Sequence, residues 1–409
     1  TSGMKHKFLF ILLFSLVLEG MVTTQAVAGD YVHQVNTLIG TKGTGLTSGY
    51  LYPGATYPYG MVQFTPSYFS KRSGFVINQL SGGGCEHMGN FPTFPVKGKL
   101  KMSPDNILNY RINVSEEKGH AGYYEAMVQE DIKAKLTVTE RTGMASYEYP
   151  ADQQYGTIII GGGISATPIE QAAIVITAPN KCEGYAEGGN FCGLRTPYKV
   201  YFVAEFDTDA LESGTWKRNE LKPNTTFAEG EYSGVYFTFD VNKKKNIQYK
   251  IGVSYVSVEN ARENLKAENA EWDFQKIQNQ AEAKWNHYLG MIEVEGTNPD
   301  RTTQFYTHLY RSFIHPNVCS DVNGEYMGAD FRVHKSRSKH YTSFSNWDTY
   351  RTQIQLLSML DPEVASDIVI SHQLFAEQSG GSFPRWVMAN IETGVMQGDP
   401  TPILIANAS

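Results

Sequence analysis

The pattern of apolar and polar residues divides the chain into a strand-rich part followed by a helix-rich part. In Ile132–Thr139, apolar side chains recur at every second position. This spacing predicts a β-strand, because successive side chains of a strand point to opposite faces. Similar short segments are Tyr123–Val128, Ala145–Tyr149, Thr157–Ile160, Lys199–Phe206, Gly234–Asp240 and Gln248–Val256. Many short strands without long helical patterns between them indicate an antiparallel β-sandwich.

The spacing becomes helical from Val258 to Leu289. Four apolar residues recur every four positions and form one stripe: Ile277, Ala281, Trp285 and Leu289. Such a stripe is typical of an amphipathic helix that packs against a neighbour. We therefore predict a linker of one or two helices, followed by a short strand at Ile292–Val294.

Helices are predicted to dominate from about residue 300 onward. One is expected over Thr303–Ile314. Asp361-Pro362 marks the start of another, with an N-cap followed by proline at the first helical position, and Gly380-Gly381 marks its end. Only about four helices fit before Ser409, which is too few to close a helical toroid.

These patterns give four predicted units along the chain. They are a signal segment over residues 1–28, a β-sandwich domain over 29–256, a helical linker over 257–298, and the start of a helical domain over 299–409.

The first unit has the features of an export signal. Lys5 and Lys7 precede the apolar run Phe8–Leu18, and Ala26-Val27-Ala28 is a small-x-small cleavage pattern. The run is shorter than the roughly 20 apolar residues that span a bilayer. A secreted or periplasmic protein with a cleaved signal peptide follows, and an uncleaved membrane anchor is the alternative.

Composition excludes some classes of partner. The 409 residues carry a formal charge of −7 and show no basic stripe, which argues against nucleic-acid binding. Beyond the signal segment, no stretch approaches the length of about 20 apolar residues needed for a membrane span, so no membrane contact is expected after cleavage.

The cysteines leave several covalent arrangements open. Cys85, Cys182, Cys192 and Cys319 allow three full pairings. Cys182 and Cys192 flank the glycine-rich segment EGYAEGGNF, which we interpret as a loop. A disulfide between these two cysteines could close it. Four free thiols are an equally acceptable arrangement, because a large core needs no covalent links.

The segment Phe344–Arg351 (FSNWDTYR) is the first candidate site. Ser345 and Asp348 have capping-box spacing, and Trp347, Asp348 and Arg351 share one end of the helix that it predicts. A carboxylate beside an indole suits a hexose, because oxygens accept from its hydroxyls while its C–H face stacks on the ring. The structural alternative is a capping aspartate paired with arginine and a core tryptophan.

The segment Ser81–Pro95 (SGGGCEHMGNFPTFP) is the second candidate. Three glycines lead to His87 and Asn90, which would bring hydrogen-bond donors close to a polar ligand. The alternative is a structural turn with a satisfied histidine. Glu86 beside His87 suggests a metal only weakly, because no second histidine stands at ligand spacing.

Two further segments add less. Tyr52–Phe64 (YPGATYPYGMVQF) has the pattern of turns around buried aromatics. The stretch of residues 380–399 contains Trp386, Glu392 and Asp399, whose carboxylates either line a pocket or cap helices.

In order along the chain, these segments resemble glycoside hydrolase family 92, the secreted exo-α-mannosidases. The residues that carry the resemblance are YPGATYPYGMVQF, SGGGCEHMGNFPTFP, SNWDTYR and ETGVMQGDP, together with the stretches between them. The resemblance covers essentially all of residues 30–409.

The resemblance implies an N-terminal β-sandwich, linker helices and an (α/α)6 toroid. It also implies calcium-assisted hydrolysis, with inversion, of terminal α-mannose in glycans, as in N-glycan degradation. Calcium would hold sugar hydroxyls, one carboxylic acid would protonate the leaving oxygen, and a second carboxylate would activate water.

By resemblance, Asp348 matches the aspartate that grips mannose, and Trp347 and Arg351 shape that pocket. His87 and Asn90 lie in the sandwich loop that faces the toroid, and Trp386 lies near the sugar. The general acid, the general base and most calcium ligands are expected beyond Ser409. We therefore expect this chain alone to be inactive, with a non-catalytic carbohydrate-binding or inactive truncated product as the alternative function.

Overall fold

The computed structural model describes residues 29–42, 49–67, 74–104 and 113–408. The predicted signal segment, residues 1–28, lies outside the described residues. Within the described ranges, no helix is both long enough and apolar enough to cross a membrane.

The N-terminal part consists of two antiparallel sheets. Its strands in chain order are β1 (Ala55–Thr56), β2 (Gln63–Pro66), β3 (Phe75–Val76), β4 (Thr93–Lys97), β5 (Val114–His120), β6 (Tyr123–Val128), β7 (Ile132–Val138), β8 (Thr142–Glu148), β9 (Tyr155–Ile160), β10 (Ile169–Ala178), β11 (Lys181–Phe191), β12 (Leu194–Phe206), β13 (Glu212–Lys217), β14 (Glu220–Pro223), β15 (Phe227–Glu229), β16 (Ser233–Asp240) and β17 (Asn246–Ser254). One sheet has the order β1-β2-β3-β4-β9-β16-β13-β14, and the other has the order β15-β10-β11-β12-β17-β8-β7-β6-β5.

The alternation seen in the sequence separates the core from the outer face. In β7, Ile132, Ala134 and Leu136 are fully buried, whereas Lys133 and Lys135 are half-buried. Aromatic side chains fill the space between the sheets, and the rings of Phe206 and Tyr249 lie 5.3 Å apart. Burying aromatic surface in this way is a main source of core stability.

Helices follow the last strand of the sandwich. They are α1 (Val258–Glu268), α2 (Phe274–Leu289), α3 (Pro299–Ser312), α4 (Asn346–Thr349), α5 (Gln353–Leu360), α6 (Pro362–Gln378) and α7 (Thr401–Ala408). Short hairpins between them comprise β18 (Asn317–Val318), β19 (Glu325–Met327), β20 (Val333–Lys335), β21 (Tyr341–Thr342), β22 (Val387–Met388) and β23 (Ile391–Glu392). The predicted fold, an antiparallel sheet domain followed by a helical domain, is confirmed.

The helix signals in the sequence were mostly correct. The stripe of α2 is buried, with Trp285 and Leu289 at 0% exposure. Asp361 caps α6 by accepting from the Val364 backbone N–H, with proline at the first position as predicted. Gly380 and Gly381 follow α6 with φ angles of 90° and 99°, which only glycine adopts without strain.

Three predictions of local structure were wrong. Residues 292–294 form a loop and not a strand. Ser345 does not cap the backbone of α4, because its hydroxyl donates to the Asp348 carboxylate instead. The predicted loop EGYAEGGNF is strand β11, and its glycines are there because neighbouring strands lie too close for a side chain: a Cβ on Gly184 would lie 2.2 Å from the Ala173 carbonyl oxygen of β10, and one on Gly189 would lie 2.4 Å from the Thr196 carbonyl oxygen of β12.

The disulfide joins Cys85 to Cys192, and Cys182 and Cys319 are free and buried. The suggested Cys182–Cys192 pair is wrong, and so is the arrangement with four free thiols. Cys182 lies at the start of β11 and Cys192 just past its end, so the extended strand separates them by roughly 30 Å at about 3.3 Å per residue.

An ionic cluster connects the two parts of the molecule. Arg141, in the turn after β7, is 6% exposed and contacts Glu140 and Glu268, each at 2.6 Å. Its Nε donates to the Ser320 backbone carbonyl, and Lys339 pairs with Glu140. Because these partners come from the sandwich, α1 and the segment after β18, the cluster ties the sheets to the helices.

Candidate active site

A cavity of about 630 Å³ lies where loops of the sandwich face the helical part. It is lined by Leu80, Ser81, Gly82, Gly83, Gly84, Cys85, Phe191, Cys192, Arg311, Ser312, His315, Pro316, Ser343, Phe344, Ser345, Asp348, Thr349, Gln353, Trp386 and Met396. We call residues 80–85 with Phe191 and Cys192 the glycine wall. The helical wall consists of Ser343, Phe344, Ser345, Asp348, Thr349, Gln353 and Trp386. Both candidate segments of the sequence analysis therefore contribute to one cavity.

The glycine wall is held from behind by His87. This side chain is 1% exposed. Its Nε2 accepts the Leu80 backbone N–H at 2.8 Å, and its Nδ1 lies 2.7 Å from the Cys85 carbonyl oxygen. Burial lowers the pKa of His87 to about 4, so the ring is neutral, with Nδ1 as its donor. The histidine thus fixes the backbone of the glycine turn.

His315 holds the same wall from the helical side. Its Nε2 accepts the Ser81 backbone N–H at 2.8 Å, and its Nδ1 contacts the Asn317 side-chain oxygen at 2.6 Å. Burial lowers the pKa of His315 to about 4. Gln353 donates to the His315 backbone carbonyl at 3.0 Å and thereby joins this histidine to the helical wall.

The disulfide completes the glycine wall. Cys85 ends the glycine turn, and Cys192 lies in the hairpin between β11 and β12. The bond therefore fastens the turn to the nine-stranded sheet at the edge of the cavity.

Asp348 provides the carboxylate of the helical wall. It is exposed, and its Oδ2 accepts from the Ser345 hydroxyl at 2.5 Å. The short helix α4 places it by the backbone bond from the Asp348 N–H to the Ser345 carbonyl, 2.9 Å long. An exposed carboxylate with capacity left to accept is suited to polar ligands such as sugar hydroxyls.

Trp386 is brought beside this carboxylate by backbone pairing. Ser345 and Trp386 form an isolated antiparallel bridge, and the Val387 N–H donates to the Phe344 carbonyl at 2.9 Å. The indole of Trp386 packs on Phe191 with the ring centroids 4.6 Å apart. The two walls therefore meet at an apolar aromatic pair that lines the cavity.

Arg311 supplies a positive group to the same cavity. Its guanidinium donates to the backbone carbonyls of Tyr52 and Thr37, at 3.1 and 2.8 Å. Its buried Nε has no hydrogen-bond partner within the described residues. Because this nitrogen is inaccessible, the part of Arg311 that lines the cavity contributes positive charge there rather than this donor.

The structure places the predicted site residues in three different settings. Asp348 and Trp386 line the cavity. His87 and Asn90 are buried behind it, and the Asn90 side-chain oxygen accepts from Asn78 at 3.0 Å and from the Tyr198 hydroxyl at 2.5 Å. Their direct contact with a sugar therefore remains a prediction, and their observed role is to support the loop.

Trp347 and Arg351 are not among the residues that line the cavity. The Arg351 guanidinium lies 5.5 Å from the Trp347 ring centroid and 5.0 Å from that of Tyr350. Its Nε also donates to the Tyr350 hydroxyl at 2.9 Å. Their contribution to sugar binding is likewise still a prediction.

Glu392 has a structural role in the turn that carries Trp386. Its Oε2 accepts the backbone N–H groups of Arg385 and Trp386, at 2.6 and 3.1 Å, and its Oε1 accepts that of Gly394 at 2.9 Å. Glu392 therefore neither lines the cavity nor caps a helix, and instead fixes the hairpin of β22 and β23.

Sequence reasoning missed His315, Arg311 and Gln353. Their partners lie far away in the chain: His315 and Ser81 are 234 residues apart. The one local signal was the cluster of polar residues at the end of the predicted helix Thr303–Ile314, where a loop begins.

Comparison with known proteins assigns both parts of the chain to one family. The sequence profile described as "Glycosyl hydrolase family 92 N-terminal domain" matches residues 34–254, and the profile described as "Glycosyl hydrolase family 92 catalytic domain" matches residues 260–409. A secreted glycosidase of Arthroderma benhamiae, described as uncharacterized, is 25% identical over 384 residues, which cover 83% of this chain and 48% of that protein.

Two similar solved structures come from Bacteroides thetaiotaomicron. A family GH92 α-mannosidase has a TM-score of 0.82 and 26% identity, over 91% of this chain and 53% of that one. It has also been solved in complex with mannoimidazole. A family GH92 inverting mannosidase has a TM-score of 0.80 and 25% identity, over 93% of this chain and 52% of that one. The chain thus spans about half the length of these relatives.

Proposed function

Since the chain belongs to glycosyl hydrolase family 92, we propose that the protein hydrolyses terminal α-mannosidic bonds in glycans with inversion. Solved relatives named as α-mannosidases, one of them as inverting, support this substrate class. Within that reaction, we assign this chain the binding of the terminal mannose.

One observation carries the assignment: the exposed carboxylate of Asp348 and the indole of Trp386 line the same cavity. A carboxylate accepts hydrogen bonds from sugar hydroxyls, while an aromatic face packs against the apolar C–H face of the ring. Arg311, which also lines the cavity, adds a positive charge near the ligand. Together these groups orient a hexose without reacting with it.

The chemistry of bond cleavage needs more than this. An inverting glycosidase uses two carboxyl groups, one as acid and one as base, roughly 6.5–9.5 Å apart. Within the described part of the chain, Asp348 is the one carboxylate among the residues that line this cavity. This observation favours the second candidate function for the chain by itself, which is carbohydrate binding without hydrolysis.

Calcium assistance is part of the proposal for the whole protein. Calcium binds 6–8 oxygen ligands, several of them commonly carboxylates. The described lining residues do not fit this requirement, because they offer one carboxylate, which already accepts from Ser345. No step that involves this chain's residues is therefore assigned to the ion.

We also propose that the protein is exported by a cleaved signal peptide to the periplasm or the exterior. The pattern of Lys5, Lys7 and Ala26-Val27-Ala28 supports this, as does the name of the secreted relative. N-terminal sequencing of the exported protein tests it, and a mature terminus near Gly29 is expected.

The test of function measures binding and hydrolysis separately on the full chain. Calorimetry follows the binding of mannoimidazole, and release of 4-nitrophenol from an aryl α-mannoside follows hydrolysis, with calcium or with a chelator. We expect binding that Asp348→Ala weakens, and no release above the buffer blank. Absence of binding would contradict the assignment of the cavity to mannose.

Calcium-dependent release that Asp348→Ala abolishes would overturn the binding-only role of the chain. Where the coding sequence extends beyond residue 409, the longer product is assayed in parallel. The mannosidase proposal requires it to release β-mannose first, since inversion at an α-linkage gives the β-anomer; α-mannose as first product would contradict inversion.

A further inference from the structure

A group of metal-ligating side chains lies away from the cavity, where the first described residues meet α2. His33, in a 3-10 helix over Val32–Gln34, approaches His120 at the end of β5 and Glu282 on α2. Each side chain offers one ligand atom, and these atoms all lie within 4.8 Å of one another. None of the three lines the cavity described above.

We propose that His33, His120 and Glu282 form a binding site for a divalent transition-metal ion, with zinc as the representative ion. Two imidazoles and one carboxylate match the nitrogen and oxygen ligands that zinc takes in proteins, with a fourth position left for water. Calcium is disfavoured, because it takes oxygen ligands.

Two of the ligand atoms are already close together. His120 Nε2 lies 2.8 Å from Glu282 Oε1. Zinc bonds of about 2.0–2.1 Å in a tetrahedron place neighbouring ligand atoms roughly 3.3 Å apart. Metal binding therefore releases the proton between His120 and Glu282 to solvent and lets these two atoms separate slightly, while the His33 side chain, which is 55% exposed, supplies the third ligand.

The surrounding residues hold the ligands in place. The ring of His120 stacks on Tyr123 with the centroids 5.0 Å apart. Glu282 also accepts from Gln278 at 2.7 Å. These contacts fix the positions of the His120 ring and the Glu282 carboxylate before any ion binds.

Asp30 supplies the outer partner that metal-binding histidines usually have. Its carboxylate lies 2.6 Å from Nδ1 of His33. A carboxylate on one ring nitrogen orients the imidazole and leaves the other nitrogen for the metal. The backbone of this segment is held as well, because the N–H groups of Tyr31 and Val32 both donate to the Asn286 side-chain oxygen on α2.

The bound ion would link three elements that are distant in sequence. It would fasten the residues around His33 to both the sandwich and the linker helix. Because it binds the folded chain, it would also raise the free energy of unfolding in proportion to its affinity and concentration.

The test uses the full chain without a polyhistidine tag, freed of metal with a chelator and returned to metal-free buffer. Zinc is titrated by calorimetry, and cobalt is used as a spectroscopic probe, since a site with four or five ligands gives a visible absorption band. We expect one zinc per chain, the cobalt band, and a higher midpoint of thermal unfolding with zinc.

Four variants locate the site. His120→Ala and Glu282→Gln should each abolish the cobalt band, and Asp30→Asn should weaken zinc binding by about 10- to 100-fold, as for other outer partners. The matched control is His308→Ala, an exposed histidine on α3, which should bind like the parent. Circular dichroism confirms that each variant is folded.

Two outcomes would overturn the proposal. One is absence of zinc binding at 100-fold molar excess, which would make the cluster a hydrogen-bonded contact between elements. The other is binding that remains unchanged in both His120→Ala and Glu282→Gln, which would place the ion elsewhere. If His120→Ala does not fold, the conservative Glu282→Gln variant decides.

Discussion

The two walls of the cavity use their side chains in different ways. His87 is buried behind the glycine wall and the half-buried His315 lines the cavity beside it, and both use their ring nitrogens to bind backbone or amide groups of the protein. On the helical wall, Asp348 is exposed and lines the cavity. One wall is therefore built to keep its shape, and the other presents a charged group to whatever enters.

This difference shows that the sandwich and the helical part contribute differently to the cavity. The sandwich supplies a backbone surface that hydrogen bonds to His87 and His315 hold in shape, so it can define the outline of a ligand. The helical part supplies the group that forms new hydrogen bonds. Changes in the glycine wall should therefore alter stability, whereas changes at Asp348 should alter binding.

Among the substitutions, the largest effect is expected from removal of the disulfide. The bond closes a separation of 107 residues, and loss of such a bond lowers the free energy of unfolding by about 2–5 kcal/mol. Chemical denaturation of the Cys85→Ser/Cys192→Ser variant measures the effect. A reductant should destabilise the parent but not the variant. An unchanged midpoint would mean that the glycine wall does not depend on this link.

Acidification should weaken the same wall next. His87 and His315 have folded-state pKa values of about 4, below the unfolded value of about 6.5. Between these values the unfolded chain binds more protons, so the free energy of unfolding falls as pH drops from about 6.5 to 4, by about 1.4 kcal/mol per pH unit for each histidine. Below about pH 4 these two groups add no further change.

Denaturation across this pH range checks the prediction. His315→Gln should reduce the slope of stability against pH by up to one proton, whereas His308→Gln on the exposed face of α3 is the matched control and should not. Equal slopes in the parent and in His315→Gln would show that His315 is protonated without loss of the fold.

Asp348→Ala should weaken ligand binding and leave stability almost unchanged, the opposite of the changes in the glycine wall. A hydrogen bond to a charged group contributes about 1.5–3 kcal/mol, so the affinity for mannoimidazole should fall by about 10- to 150-fold. Because the side chain is exposed, the free energy of unfolding should change by no more than about 0.5 kcal/mol. Asp399→Ala, an exposed carboxylate outside the cavity, is the control. A large loss of stability would remove the contrast between the walls.

The smallest effect is expected for Arg351→Ala. Its contacts with the rings of Trp347 and Tyr350 are worth about 0.5–1 kcal/mol at an exposed site. The free energy of unfolding should therefore fall by about that amount, and the affinity for mannoimidazole should change far less than in Asp348→Ala, because Arg351 does not line the cavity. A loss as large as that of Asp348→Ala would mean that Arg351 contacts the sugar directly, as the sequence resemblance implies.

The sequence was informative wherever neighbours along the chain decide the structure. Alternation placed β7, and the cap at Asp361 with the glycines after Gln378 gave both ends of α6. The glycines of β11 led to the wrong prediction of a loop. Glycine is needed both in a turn and where a neighbouring strand leaves no room for a side chain, and the second reason applies in β11. Whether a glycine serves one or the other depends on a strand that is not adjacent to it in the sequence.

The candidate site was only partly predictable for the same reason. Asp348 and Trp386 belong to recognisable segments, and both line the cavity. His315 acts through Ser81, and Cys85 pairs with Cys192, so each depends on a residue more than a hundred positions away. No local pattern encodes such pairs, because the tertiary fold creates them.

The buried Arg141 has a consequence for the order in which the molecule assembles during synthesis. Glu268 follows Arg141 by 127 residues, and at a rate of about 5–20 residues per second it leaves the ribosome roughly 6–25 s later. Until then the guanidinium keeps its hydration, because burying it without Glu268 would leave a charge incompletely paired. A newly made sandwich therefore keeps Arg141 exposed to water at its edge. Burial of this side chain can begin only when α1 brings Glu268 to it.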